Sequence, residues 1–248
     1  MPFDPTTLDG PFTALAAFEW GGDAAPLGVI DAAVVAAHGD AALTADLEKR
    51  LGGVISGATS RAAKDYACRK LSMIGTAASV PALVPLLADR DESHMARFAL
   101  ERIPAPAAAD ALRQALGTVR GDLAIGMISS LANRRDAASV KPLAALLGGD
   151  AATAAAAASA LGRIATADAA AALAAAKIQP GPVADAVIDG RLACADAFLA
   201  AGNRGSARAI YESIAARIGD TPTTHRDRVV RIAAKSGILA CLDDTVAL

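Results

Sequence analysis

Residues 68–89 read CRKLSMIGTAASVPALVPLLAD, in which two helical patterns are joined by a short turn. The second half carries one apolar stripe with the i, i+3, i+4 spacing of a helix face, made by Leu83, Leu86 and Leu87. Gly75 is typical of a helix end, and Pro81 fits the first turn of a helix, where a missing N–H costs nothing. This stretch therefore predicts a helix, a turn and a second helix.

The same arrangement recurs along the chain at a period of about thirty residues. Its anchors are leucines separated by 29, 31 and 30 positions, namely Leu71, Leu100, Leu131 and Leu161. Twelve positions after each anchor stands a second leucine, namely Leu83, Leu112, Leu143 and Leu173. Such a period is the signature of helical repeats that bury their apolar faces by stacking. We therefore expect all eight leucines to be buried.

Stacked helix pairs predict an all-α fold, a right-handed α-solenoid of antiparallel helix pairs, in a single domain covering residues 1–248. Four regular repeats are expected at 59–177. They are preceded by an acidic N-terminal cap and helix pair at 1–58 and followed by atypical C-terminal helices at 178–248. The terminal units of solenoids usually differ from the internal ones.

Apolar spacing also places helices in the two flanks. It predicts an N-terminal pair at 24–37 and 41–55, a longer C-terminal pair at 182–201 and 204–218, and a last amphipathic helix at 223–236.

The composition favours closely packed helices. Hydrophobic residues make up 54% of the chain and aromatic residues only 3%, so the core is expected to consist mainly of Ala, Leu, Val and Ile. Residues 151–176 contain 17 Ala in 26 positions. Because the leucine register continues through this run, we interpret it as a tightly packed helix pair rather than as disorder.

Two stretches resemble a known repeat. Residues 68–89, and residues 159–176 with the sequence SALGRIATADAAAALAAA, are similar to the HEAT-like repeat first described in phycobilin lyases, an armadillo-like α-solenoid unit. The resemblance lies in an Ala-Leu-Gly-x-Ile close of the first helix, a short turn, and a Val-x-x-Leu opening of the second. It covers about residues 59–177, and the early basic residue of many such repeats is Lys64 in one unit and Ala154 in another. These repeats occur in lyases, DNA glycosylases, scaffolds and transport factors, so the resemblance implies a fold rather than an activity.

No catalytic residue, metal site or cofactor is expected from the sequence. The histidines and cysteines show neither metal-ligand spacing nor a disulfide framework; they are His38, His94, His225, Cys68, Cys194 and Cys241. We predict that Cys68 and Cys194 are buried thiols and that Cys241, near the chain end, reacts first with thiol reagents.

The first residues, MPFDPTTLDGPF, lack the basic and apolar regions of a secretory signal. No apolar run approaches the ~20 residues of a membrane span, and no membrane partner is expected. A reducing, cytoplasmic setting is the default expectation, unless a signal has been removed.

Two glycine-containing stretches invite comparison with anion sites. Residues 51–57, LGGVISG, lack the lysine of a phosphate-binding loop. Residues 201–208, AGNRGSAR, place Arg204 and Arg208 beside a helix start, where anions bind readily. A plain turn with Ser206 as the N-cap is the favoured interpretation.

Basic residues are the candidates for a partner-binding surface. These candidates are Arg102, Arg134, Arg135, Arg163, Arg204 and Arg208. The first four lie near the ends of successive first helices, where positive charge also complements the helix dipole, and we favour that simpler role. Asp185 and Asp189 form a like-charge i, i+4 pair, which is either a site or, more commonly, a solvated face.

Charge is unevenly distributed, although the net charge is only −2. Residues 1–48 contain eight acidic residues and no Lys or Arg, whereas residues 191–235 have a local charge of +4. This asymmetry predicts salt-sensitive association, either with a charged foreign partner or between the oppositely charged ends of two copies. The foreign partner is favoured, because unchecked head-to-tail growth would be a hazard.

A non-catalytic scaffold that binds another protein is the leading hypothesis, since solenoids bind partners on the surface of their second helices. A HEAT-like DNA glycosylase would need a basic face with stacking aromatics, but Trp20 lies in the acidic segment, so nucleic acid is not expected. A phycobilin lyase-type subunit would need aromatics along a groove, where the central repeats offer Phe98 and Tyr66. A salt-dependent DNA shift assay and a bilin absorbance shift would distinguish these alternatives.

Overall fold

A computed structural model describes residues 3–177, 179–219 and 224–242. Over this part of the chain the structure contains fourteen α-helices and no strand, so the predicted all-α class is confirmed. The chain divides into two compact units, Met1–Arg134 and Arg135–Leu248.

The first unit contributes eight of these helices. They are α1 (Asp9–Ala16), α2 (Leu27–Ala36), α3 (Ala41–Ser56), α4 (Arg61–Ile74), α5 (Val80–Leu83), α6 (Ser93–Arg102), α7 (Pro106–Thr118) and α8 (Asp122–Asn133). Short 3₁₀ segments lie at Pro5–Leu8, Ala77–Ser79 and Val84–Ala88. Within this unit α4 packs against α6 and α6 against α8, while α3 packs against α5 and α5 against α7.

The second unit contributes the remaining six. They are α9 (Val140–Leu146), α10 (Ala151–Ile164), α11 (Ala167–Ala175), α12 (Pro182–Ala200), α13 (Arg204–Ile218) and α14 (His225–Ala240), with a 3₁₀ turn at Ala137–Ser139. Here α10 packs against α12, α12 against α13 and α13 against α14.

The helices of the flanks begin and end close to the predicted positions. The pair predicted at 182–201 and 204–218 is observed as α12 and α13, and the N-terminal pair is α2 and α3. The last helix is α14, which ends four residues later than predicted, whereas residue 223 lies outside the described residues. Helix α1 was not expected from the sequence.

The second helix of the first repeat is interrupted. Helix α5 ends at Leu83, and the chain continues as a 3₁₀ segment over Val84–Ala88. Pro85 has no N–H to donate to the carbonyl four residues earlier, so the α-helical hydrogen-bond ladder stops and a tighter turn replaces it.

The leucines of the sequence register are buried, as expected. All eight leucines of the register are at most 1% exposed. In the first unit the layer is extended by buried alanines such as Ala63, Ala67 and Ala96, which are completely enclosed. The scarcity of aromatic residues is therefore compensated by small side chains that let helices come close together.

Helices α10 and α12 of the second unit approach each other backbone to backbone. A Cβ on Gly162 would lie 2.6 Å from the Cα of Gly190, and a Cβ on Gly190 would lie 2.6 Å from the carbonyl oxygen of Ala158. Only glycine permits such an approach. The alanine-rich run is thus helical and tightly packed, as predicted, but α10 packs more extensively on α12 than on its sequence neighbour α11.

We predict that Gly162→Ala destabilises the protein by about 1–3 kcal/mol, because the added Cβ overlaps the backbone of α12 and the two helices must separate. The matched control is Gly53→Ala in α3, where an added Cβ has no atom within 4 Å. That control should stabilise the protein by up to about 1 kcal/mol through helix propensity. Denaturant unfolding measures both changes, and equal effects of the two substitutions would contradict the close crossing.

Thiol labelling tests the burial of the cysteines. All three are free and buried; Cys68 and Cys194 are fully enclosed and Cys241 is 7% exposed. Burial raises the pKa of Cys68 to about 12 and that of Cys194 to about 11, so neither forms appreciable thiolate at pH 8. We expect Cys241 to react first with a disulfide reagent and the other two only as the protein opens. A fast phase that survives in Cys241→Ser would contradict this order.

Candidate functional site

Arg134 is the most constrained of the basic candidates. Its Nη1 donates hydrogen bonds to the carbonyl oxygens of Leu100, Glu101 and Ile103 at 2.5, 3.2 and 2.6 Å, and its Nη2 donates to Ala105 at 3.3 Å. These carbonyls lie at or just beyond the C-terminal end of α6, where helix carbonyls lack partners within the helix. The guanidinium therefore caps the C-terminal end of the neighbouring helix α6.

Arg102, the other candidate in the first unit, lies over an aromatic ring. Its guanidinium carbon is 3.9 Å from the ring centroid of Phe98, and that of Arg69 is 5.7 Å from the same centroid. Arg69 also forms an ion pair with Asp65 at 2.7 Å. Exposed cation–π contacts of this kind contribute about 0.5–1 kcal/mol, so Arg102 remains an ordered surface cation.

The other four basic candidates, Arg135, Arg163, Arg204 and Arg208, belong to the second unit and are all exposed. Arg163 stands in the last turn of α10, where its charge complements the helix dipole. Arg208 forms an i, i+4 ion pair with Glu212 at 2.7 Å.

The predicted N-cap of α13 is wrong. The helix begins at Arg204, and the side chain of Asn203 accepts a hydrogen bond from the N–H of Ser206 at 3.2 Å. Ser206 is thus the third residue of the helix, where its N–H needs a partner, and Asn is as effective an N-cap as Ser. The stretch is an ordinary helix start.

Asp185 and Asp189 are held by one arginine. The Nε of Arg226 lies 2.7 Å from an oxygen of Asp185, and its Nη2 lies 2.8 Å from an oxygen of Asp189. The same Nη2 donates to the backbone carbonyl of Asp185 at 3.0 Å. The carboxylate pair therefore ties α12 to α14, which offsets its like-charge repulsion.

A small cleft of about 90 Å³ brings together three residue types found in catalytic sites, Asp65, Cys68 and His94. The raised pKa of the enclosed Cys68 keeps its thiol protonated at neutral pH, which removes the nucleophile such a site would need. Within residues 3–177, 179–219 and 224–242, no cluster of three or more His, Cys, Asp or Glu is arranged to hold a metal ion.

Larger clefts lie along α3 in the first unit. Two of them, of about 520 and 590 Å³, share Ala45, Glu48 and Ala78 and form one continuous groove between α3 and the segment leading into α5. We call it the α3–α5 groove, and its central lining residues are Ala45, Glu48, Lys49, Gly52, Gly53, Ala78, Pro81 and Ala82. A third cleft, of about 280 Å³, lies on the other side of the α5 segment, against α7.

Glu48 fixes the shape of the groove from below. It is only 7% exposed, and its carboxylate accepts hydrogen bonds from the backbone N–H of Thr76 at 2.7 Å and from the hydroxyls of Thr76 and Ser79 at 2.9 and 2.6 Å. These bonds anchor the turn before α5 to the middle of α3. Because its oxygens are occupied in this way, Glu48 is a structural acceptor rather than a free acid or base.

Gly52 and Gly53 open the wall of the groove. A Cβ on Gly53 would have no atom within 4 Å, and one on Gly52 would make an ordinary 3.6 Å contact with the Cβ of Ala82. By contrast, the helical glycines Gly162 and Gly190 each fill a space that a Cβ would overlap. A glycine inside a helix lowers the stability of that helix by roughly 0.5–1 kcal/mol relative to alanine. Packing within the fold does not require glycine at positions 52 and 53.

The sequence feature that corresponds to this groove is the pair of adjacent glycines, Gly52 and Gly53, in residues 51–57. The stretch LGGVISG is part of helix α3 and not a loop. Two adjacent glycines inside an otherwise regular amphipathic helix lower the stability of the helix and leave space beside it. The groove is lined by alanines, glycines and Pro81 together with small polar and charged side chains, and no aromatic residue is among its lining residues. Such a surface suits a polypeptide segment better than a nucleobase or a bilin.

We predict that Arg134→Ala lowers the free energy of unfolding by about 1.5–3 kcal/mol, because charge-assisted hydrogen bonds to the end of α6 are lost and carbonyls are left unpaired. Arg134→Lys should recover only part of this, since an ammonium cannot reproduce the planar fork of donors. The control, Arg163→Ala, removes an exposed cation and should change stability by less than about 0.5 kcal/mol. Urea unfolding provides the measurement, and a neutral Arg134→Ala would show that the cap is dispensable.

No helix in the described part of the chain combines the length and the apolar character needed to cross a membrane. No family model matches the chain, and no curated protein matches it. The α3–α5 groove is therefore interpreted from its own geometry.

Proposed function

We propose that this chain is a non-catalytic scaffold that binds another protein, and that the α3–α5 groove receives a segment of that partner. The architecture proposed for it is an armadillo-like α-solenoid of HEAT-like repeats. Two observations support this architecture: the thirty-residue leucine register, and the order in which α4, α6 and α8, and likewise α3, α5 and α7, contact one another.

The observation that carries the proposal is the pair of glycines in the groove wall. Gly52 and Gly53 weaken α3, and no neighbour within the fold requires their missing side chains. They do create a surface on which another backbone can approach the helix closely. A partner segment that lies against these two adjacent glycines would make use of that space.

The chemistry of the lining residues favours binding over catalysis. Glu48 accepts hydrogen bonds from Thr76 and Ser79, and the other charged residues that line the groove are Lys49 and Asp40. The carboxylate of Asp40 caps the start of α3 by accepting from the N–H groups of Ala42 and Leu43. Catalysis of proton transfer needs a titratable group within hydrogen-bond reach of a substrate and able to change its protonation state. The methyl-lined walls instead offer shape complementarity to apolar side chains.

Site-specific photocrosslinking tests the location of the binding surface. A photoreactive amino acid placed at position 53 in the full chain should yield one discrete protein adduct in an extract of the source cells. The control places the same group at Met73, which is 65% exposed on α4 and outside the groove. An adduct from position 73 but not from position 53 would contradict the proposal.

Two substitutions at the same position then separate binding from folding. Gly53→Ala and Gly53→Leu have similar helix propensity, so both should leave the protein folded and slightly stabilised. Only leucine projects far enough to fill the groove, so we expect Gly53→Leu to weaken binding of the crosslinked partner at least tenfold, while Gly53→Ala has little effect. Calorimetric titration measures both, and wild-type affinity in Gly53→Leu would overturn the groove as the binding site.

A further inference from the structure

The last helix of the second unit presents an apolar face that the unit does not cover. The inner face of α14 packs through Val230, Ala234 and Cys241, which are buried against the cluster around Tyr211. The outer face carries large apolar side chains that are 52 to 67% exposed, namely Val229, Ile232 and Leu239. Monomeric proteins rarely expose an organised apolar stripe of this kind without an interaction to cover it.

The exposed stripe has the spacing of a coiled-coil seam. Val229, Ile232, Ser236 and Leu239 follow one another at intervals of three, four and three residues, which are the a, d, a and d positions of successive heptads. The flanking e positions are the alanines 233 and 240, which allow a second helix to approach closely. An apolar seam with this spacing on an exposed helix is suited to receive one more helix.

Charge restricts the identity of that helix. The flanking g positions are occupied by Arg228 and Lys235, both exposed, and among the described residues neither forms an ion pair. Residues at these positions select the partner in coiled coils by pairing with opposite charges. An incoming helix with Glu or Asp facing Arg228 and Lys235 would neutralise both.

A second copy of α14 fits this surface poorly. In an antiparallel pair Arg228 and Lys235 would face the same cations of the other copy, and in a parallel pair they would face the alanines at the e positions. A lipid surface is also disfavoured, because the stripe carries no Trp or Phe and is confined to one narrow seam. The observations therefore favour a foreign acidic helix.

We propose that the outer face of α14 docks an acidic amphipathic helix of a partner protein, with Ile232 and Leu239 in the seam and Arg228 and Lys235 as the charge-selecting residues. This surface belongs to the second unit and is independent of the α3–α5 groove. It would also be one place for the salt-sensitive association that we predict from the local charge of +4 over residues 191–235.

The experiment uses the full chain and two synthetic three-heptad peptides, each with Leu at the seam positions and either Glu or Lys at every flanking position. The Glu peptide should bind the wild-type chain at least tenfold more tightly than the Lys peptide, and its affinity should fall as salt increases. The double variant R228E/K235E should reverse this preference. I232D/L239D should abolish binding of both peptides, and the control Val35→Asp, at an exposed apolar residue of α2, should leave binding unchanged.

Several results would overturn the proposal. They are equal affinity for the two peptides, failure of R228E/K235E to reverse the preference, and full binding by I232D/L239D. Two further results would identify a different occupant and reject this one. The first is a wild-type dimer that I232D/L239D dissociates, and the second is binding to anionic lipid vesicles that the same variant abolishes.

Discussion

Close approach between helices is the constraint on which both units depend. With 3% aromatic residues the chain has few large side chains to fill a wide interhelical space, so leucine and alanine layers must pack at short distance. The crossing of Gly162 and Gly190 is the extreme case, in which backbone meets backbone. A core of this kind tolerates little increase in side-chain volume. An added Cβ would therefore overlap a neighbouring helix at Gly162 or Gly190, whereas at Gly53 it would meet no atom within 4 Å.

Much of the fold could be predicted from the sequence, because the information is local. The apolar stripes with i, i+3, i+4 spacing identified helices, and the twelve-residue offset between paired leucines gave the register. The eight leucines of that register are buried, as expected. Gly75 and Pro81 marked the end of α4 and the start of α5. The interruption of α5 by Pro85 and the cap of α13 at Asn203 departed from the prediction only by details of local hydrogen bonding.

The site could be predicted only in part, because its defining contacts join residues that are distant in sequence. From the sequence Arg134 is one of several basic residues near helix ends, and only the geometry shows it bonded to carbonyls about thirty residues earlier. In the sequence Glu48 is one of eight acidic residues in the N-terminal segment, whereas in the structure it accepts hydrogen bonds from Thr76 and Ser79. The glycines of α3 were visible in the sequence, but their meaning depends on the empty space beside them, which spacing alone does not reveal.

The cap supplied by Arg134 also bears on how such a chain can be rearranged. Repeat proteins are often treated as strings of interchangeable cassettes, each carrying its own structure. Here the end of α6 is completed by a side chain from the following repeat, and Glu48 likewise completes the turn of the repeat after its own helix. Deletion, duplication or shuffling at the thirty-residue period would therefore separate a helix end from its cap. A rearrangement that preserves these helix ends must therefore carry the neighbouring segments together.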